Sequence, residues 1–206
     1  MNRYFALVLG LILWGTGAAF AVAPGSLAPE FSAADSHGTR HKLSDYRGRF
    51  IVLEWHNPDC PFVVSQYANG KMQSLQKKWT KKTVLWFRVN SSAPGKEGYL
   101  TDLETNASAK RQRTLATATF LDPEGNLGKK YGAKTTPHMF IIDPKGKLIY
   151  DGAIDNAPRE DRNVRKNAEG EPYVNYVDKA LKEAMKGKPV SIPFTAAYGC
   201  SVKYKD

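Results

Sequence analysis

Residues 51–63 constrain this chain most, because an apolar run breaks there into a turn and the turn into a helix start. Ile51–Trp55 is a short run, apolar but for Glu54, that begins with β-branched residues, so it reads as a buried strand. Asn57-Pro58-Asp59 has turn composition. Cys60 follows, then Pro61. Proline is favoured at the first helical position, where its missing N–H would go unpaired anyway. Cys60 is therefore expected at the N-cap of a helix. Backbone N–H donors and the positive end of the helix dipole lower a thiol's pKa there.

The helix is expected to run toward Trp79, with Val64, Ala68, Met72, Leu75 and Trp79 on one face and Asn69-Gly70 as a kink or split. Thr83–Asn90 reads as a second strand, and Thr101-Asp102-Leu103-Glu104 as a capping box opening a helix toward Arg113. Thr117–Leu121 is a weaker strand. Met139–Ile142 and Leu148–Tyr150 form a hairpin about Asp143-Pro144-Lys145-Gly146. A polar, charged loop spans Ala157–Gly170. A last helix is expected from Pro172, with Val174, Val177, Leu181 and Met185 on one face and Gly187 as its stop. From about Lys188 the chain is a tail that carries Cys200. Pro24–Arg49 reads as an extended N-terminal lead-in. A crossover helix between strands implies parallel pairing and a tight hairpin adds antiparallel strands. The expected fold is α/β, a mixed central sheet flanked by helices.

Met1–Ala21 reads as a targeting segment: a short basic start, an apolar run from Phe5 to Leu13, and small-x-small patterns at Ala19-Phe20-Ala21 and Ala21-Val22-Ala23. Cleavage after Ala21 leaves residues 22–206 as one domain, secreted or periplasmic. An uncleaved anchor is the alternative, though the run is short for a bilayer span. No second stretch approaches membrane length. The chain carries a formal charge of +10, of which the segment's one Arg accounts for +1. The basic residues are scattered over turns and helix surfaces, which fits a solvated face and gives no ground for a nucleic-acid partner. No Gly-rich phosphate loop, Ser-His-Asp arrangement or paired-carboxylate motif stands out, and no cofactor is expected.

Four segments carry a resemblance: Ala28-Pro29-Glu30-Phe31 with Leu43-Ser44-Asp45-Tyr46-Arg47-Gly48; Glu54 to Val63; Tyr131-Gly132-Ala133-Lys134-Thr135-Thr136-Pro137; and Gly199-Cys200-Ser201-Val202-Lys203. In order and spacing the chain resembles the thioredoxin superfamily. It is most similar there to the peroxiredoxin-like redoxins related to the alkyl-hydroperoxide-reductase/thiol-specific-antioxidant family. The resemblance implies a thioredoxin-like fold, with Cys60 as the reactive thiol. It also implies a cis bond at Pro137 that leaves the backbone of Thr136 available to a substrate chain. Two departures matter. Thioredoxins carry CxxC at the helix start, and Asn57 stands here for the first cysteine. Peroxiredoxins typically carry Thr three and Pro seven residues before the reactive cysteine, where this chain has Asn57 and Leu53.

The chain has two cysteines, so one intramolecular pairing exists. The expected function is an exported thiol-dependent oxidoreductase. Cys60 serves peroxide reduction or thiol–disulfide exchange, Cys200 is a resolving thiol, and an external dithiol is the reductant. Asn57, Trp55, Thr136 and Pro137 are expected to shape the site, with Asn57 a candidate donor to the sulfur. A tryptophan in the position of Trp55 is more often core than function. Asp59 beside the thiol would oppose its activation. Two alternatives stay open. One is a non-catalytic binding module stapled by a Cys60–Cys200 disulfide. The other is a copper metallochaperone: some thioredoxin-fold copper-assembly proteins use CxxxC at this turn plus a later histidine, which would make His56, Cys60 and His138 the ligands.

Overall fold

The computed structural model describes residues 22–157 and 165–206. The targeting segment therefore lies outside the described residues, as does the middle of the charged loop. Among the described residues no helix is long and apolar enough to cross a membrane.

Five strands make the central sheet: β3 (Ile51–Trp55), β4 (Leu85–Asn90), β5 (Ala118–Leu121), β7 (His138–Ile142) and β8 (Leu148–Gly152), in the order β5-β4-β3-β7-β8. β3, β4 and β5 run parallel, and β7 and β8 are antiparallel to their neighbours. Every residue of β3, β4 and β7 is buried. Strands covered on both faces are mostly apolar for this reason, and the polar residues these three carry, Glu54, Arg88, Asn90 and His138, are buried with them.

One face packs α1 (Pro61–Ala68), α2 (Lys71–Thr80) and α5 (Tyr176–Ala184) onto Val52, Trp86, Met139 and Ile141. The other face buries Leu53, Trp55, Phe87, Phe120 and Phe140 under α4 (Asn126–Tyr131) and the N-terminal segment. Each fully buried Leu or Phe of these layers contributes about 1.5–3 kcal/mol. The capped helix α3 (Asp102–Arg111) carries the expected capping box.

Several boundaries differ from expectation for identifiable reasons. The first helix splits at Asn69-Gly70, where Gly70 takes φ 70°. An L side chain is strained in that region and glycine is not. The split resets the helical phase, so α1 buries Val63 and Tyr67 while Val64 and Ala68 are exposed. Met72, Leu75 and Trp79 of α2 are buried as expected. The lead-in holds a small hairpin, β1 (Ser32–Ala34) with β2 (Arg40–Lys42), around Asp35, which accepts the N–H groups of His37 and Thr39. Residues Asn126–Tyr131 form a helix that sequence patterning missed, between the positive-φ glycines Gly125 and Gly132. The last helix starts at Asn175, whose side chain caps Asp178 N–H, and not at Pro172. Met185 is exposed.

The tail is not loose. Asp151 N–H donates to Pro193 O at 3.0 Å and Thr195 N–H to Asp151 O at 3.1 Å, along the β8 edge. The tail then crosses to the loop before β7, where β9 (Cys200–Ser201) pairs antiparallel with β6 (Thr135–Thr136).

Candidate active site

Strand β3 ends at Trp55, and the turn His56–Asp59 delivers Cys60 to the start of α1. Cys60 is the N-cap, Pro61 opens the helix, and Val64 N–H donates to Cys60 O at 2.9 Å. The peptide bond Thr136–Pro137 is cis. Cys60 Sγ lies 3.0 Å from the Thr136 carbonyl oxygen and 2.7 Å from Cys200 Sγ, and both cysteines are free thiols. The fold thus brings together two sulfurs that are 140 residues apart in sequence.

The two thiols differ in environment. Cys60 is fully buried, while Cys200 is partly exposed. Burial pushes the Cys60 thiol up. The contacts with Cys200 and Thr136, and the backbone N–H groups of Val63 and Cys200, outweigh that, so its pKa lies below the ordinary thiol value. Burial, with the adjoining Cys60, pushes Cys200 up to about 11. The pair is polarised, with Cys60 the better thiolate.

The backbone of Thr136 is not available to a substrate chain. The chain's own tail holds it, with Thr136 opposite Cys200. Gly199 makes this approach possible: a Cβ there would sit 2.0 Å from Thr136 O, and its φ is 127°. Upstream, Tyr198 donates to Asp155 Oδ1 at 2.7 Å and its ring packs against Phe62 at 5.8 Å. Asp155 is itself buried and also receives Tyr173 O–H, Gln66 Nε2–H and Ala157 N–H. Downstream, Val202 N–H donates to Lys134 O and Tyr204 O–H to Ala133 O. Sequence reading missed Tyr198, Asp155 and Gly199 as site residues. Asp155, in a stretch of small apolar residues, was the available signal.

Asn57 does not serve the sulfur as expected. Its Oδ1 accepts Asp59 N–H at 2.8 Å and its Nδ2 donates to Glu97 O at 3.3 Å, so its amide shapes the turn and ties it to the 93–98 loop. Asp59 is exposed and is not among the groups that shift Cys60. Trp55 is core: its ring packs on Tyr131 and Phe140 and its Nε1–H donates to Ser91 Oγ at 3.1 Å.

The metal set does not assemble. His56 Nε2 donates to Gln112 Oε1 at 3.0 Å, and His138 Nε2 pairs with Asp151 Oδ1 at 2.7 Å. Burial, helped by the nearby Arg88 charge, holds His56 well below the ordinary histidine pKa, so it is neutral. Among the described residues no three His, Cys, Asp or Glu side chains gather as a metal site. Both histidines are committed to protein partners, which is the physical reason the CxxxC analogy fails.

A buried polar network lies behind the turn. Glu54 accepts from Tyr67, Gln76 and Trp86, and burial raises its pKa. Arg88, its register partner on β4, donates to Thr119 and Gln112. Gln112 joins this network to His56.

A model of the AhpC/TSA family matches residues 24–151. The thiol-disulfide oxidoreductase ResA of Geobacillus thermodenitrificans is 30% identical over 128 residues, covering 62% of this chain and 68% of that protein. The crystal structure of a hypothetical protein from Sinorhizobium meliloti superposes with TM-score 0.75 at 21% identity, over 90% of this chain and 97% of that one. The thioredoxin domain of a thiol-disulfide oxidoreductase from Bacteroides vulgatus superposes with TM-score 0.50 at 17% identity, over 64% and 89%. The fold is thioredoxin-like, and Cys200 lies beyond the stretch that the family model matches.

Proposed function

The chain belongs to the AhpC/TSA family, and from that premise we propose that it is an exported thiol–disulfide oxidoreductase whose redox couple is Cys60–Cys200. One observation carries the reading: the two free sulfurs lie 2.7 Å apart at the start of α1 beside the cis-proline. At that separation the two sulfurs are in contact, as the two partners of a disulfide must be before the bond forms. Export rests on the sequence of residues 1–21 alone.

In the oxidised form the couple is an intramolecular disulfide, and an external dithiol returns it to two thiols with two electrons and two protons. Cys60 is the thiolate that meets the oxidant. Its complete burial beneath the tail favours a small oxidant over a folded disulfide protein. With a hydroperoxide, the Cys60 thiolate attacks the terminal oxygen. Its sulfur becomes a sulfenic acid as the alcohol or water leaves. Cys200 then attacks that sulfur, water departs, and the disulfide forms. Thr136 and Pro137 hold the tail in place for this step, and Asn57 fixes the turn.

The test is a thiol count by alkylation and mass spectrometry after mild dithiol reduction, then after one equivalent of hydrogen peroxide. Ready reduction, followed by loss of both thiols within seconds, supports the couple and the peroxide arm. Ready reduction with reoxidation only by a disulfide keeps the couple and removes peroxide. A disulfide that resists reductant points to the stapled binding module instead.

A further inference from the structure

We propose that the groove between α1 and the end of α3 docks an acidic, extended peptide segment of a partner protein beside the thiol turn. The site is separate from the redox couple, and it holds whether Cys60 meets a peroxide or a disulfide.

The groove has a volume of about 400 Å³. It is lined by Pro58 and Asp59 of the turn, Val64 and Ala68 of α1, and Arg111 and Arg113 at the end of α3. Its apolar side follows from the helix break at Asn69-Gly70. With Val63 and Tyr67 turned inward, Val64 is left 46% exposed and Ala68 is exposed one turn further on. Val64 also lies one helical turn after Cys60, so a segment bound over it sits next to the thiol turn. The groove is fixed before anything binds. Gln73 of α2 donates from Nε2 to Tyr67 O at 2.9 Å and to Gln112 O at 2.8 Å, which ties the end of α1 to the end of α3. A preformed site loses less affinity to ordering its own side chains.

Arg113 is an independent sign. At the end of α3, Arg113 N–H donates to Lys110 O at 3.1 Å and Thr114 N–H to Ala109 O at 3.2 Å, a Schellman pairing. The motif needs a left-handed residue after the cap, and Arg113 supplies it with φ 49°. Glycine is favoured there because a Cβ is strained. An arginine in that place works against the fold, and what the position gains is an exposed guanidinium. Arg111 is exposed as well, and among the described residues neither arginine pairs with a carboxylate. Asp59 is the one acid in the lining, so the groove is positive on balance.

Charge and shape choose the occupant. Arginine takes carboxylates through paired N–H donors. An extended segment that alternates acidic and apolar residues offers carboxylates to the arginines and apolar side chains to Val64 and Ala68. A second copy of this chain, with the same formal charge of +10, would be repelled. A bilayer is flat where this groove is concave.

The probe is a short synthetic peptide of alternating Asp and Val, titrated into the isotopically labelled, reduced protein and followed by amide NMR shifts. The same peptide with Asn for Asp is the control, and phosphatidylglycerol vesicles stand for an anionic surface. The acidic peptide is expected to shift the amides of residues 58–68 and 108–113 and to bind about tenfold or more tighter than the control. It should lose about tenfold in affinity in the double variant Arg111→Ala/Arg113→Gly. Arg113→Gly alone should leave the urea midpoint in place, because relief at φ 49° offsets the looser unfolded chain. Equal binding of the two peptides, undiminished binding in the double variant, or shifts confined to another surface overturns the proposal. Vesicle binding that the double variant loses, with no peptide binding, overturns it in favour of a membrane. The redox couple is read separately, as diamide-driven loss of both thiols, and the double variant should match the parent. Failure of that reaction in the parent removes the couple and leaves the docking site standing.

Discussion

Tyr198 donates its hydroxyl proton to Asp155 at 2.7 Å, two residues before Cys200, and this bond fixes where the tail turns toward Cys60. Tyr198→Phe removes one hydrogen bond to a buried carboxylate that keeps its other donors, at a cost of about 1–3 kcal/mol. Peroxide- or diamide-driven formation of the Cys60–Cys200 disulfide should slow by more than the small stability loss would suggest. Stopped-flow thiol loss and a urea midpoint on the same variant check this. An unchanged rate beside a lowered midpoint would make the latch purely structural.

Gly199→Ala should undock the tail. Its Cβ would lie 2.0 Å from the Thr136 carbonyl oxygen, and φ 127° is strained for alanine. Cys60 should then be alkylated by iodoacetamide at least about tenfold faster than in the parent, because a shielded thiol becomes accessible. If Cys60 stays equally protected, the tail is not what covers it.

The two thiols should titrate apart. Cys60 is expected to ionise below the ordinary thiol value and Cys200 near 11, read from thiolate absorbance in the ultraviolet. Cys200→Ala removes the side-chain hydrogen-bonding partner of Cys60 at that position and should move the Cys60 transition upward. For folding, the depressed Cys60 pKa contributes stability that is present above the unfolded thiol value and lost as pH falls through the folded one. Cys200 acts oppositely, and its raised pKa lowers stability as pH climbs from the unfolded value toward 11. A single transition for both thiols would contradict the polarised pair.

His56 should make the protein acid-sensitive. It is buried and neutral, with a folded pKa well below that of the unfolded residue, about 6.5. Below that pH the unfolded chain binds a proton that the native state refuses, so stability falls as pH drops. Urea midpoints between pH 7 and pH 5 should decline in the parent and decline less in His56→Gln. Parallel curves would assign the slope to other groups.

Glu54→Ala should be among the costliest single changes outside the thiols. It leaves Tyr67 O–H, Trp86 Nε1–H and one of the Gln76 amide hydrogens without an acceptor, and Arg88 without its counter-charge, for about 3–5 kcal/mol by urea unfolding. A cost below about 1 kcal/mol would mean that water replaces the carboxylate.

Local structure was legible in the sequence. The run Ile51–Trp55, the turn and Cys60-Pro61 specify strand, turn and capped helix through period, turn chemistry and the missing proline N–H. β3 and the start of α1 therefore fall where the pattern puts them. The capping box at Thr101 was legible for the same reason, being a contact across three residues. The phase of α1 was not, because Gly70 breaks the helix and the two halves answer to different parts of the sheet. The tertiary structure alone decided the site. Which groups Asn57, His56 and His138 bond depends on neighbours brought from Glu97, Gln112 and Asp151. That the tail lies on Thr136 depends on one close approach at Gly199 and one anchor at Asp155. Periodicity carries no information about partners that lie tens of residues away. Two cysteines 140 residues apart become neighbours only when the sheet edge, the cis-proline and the latched tail exist together.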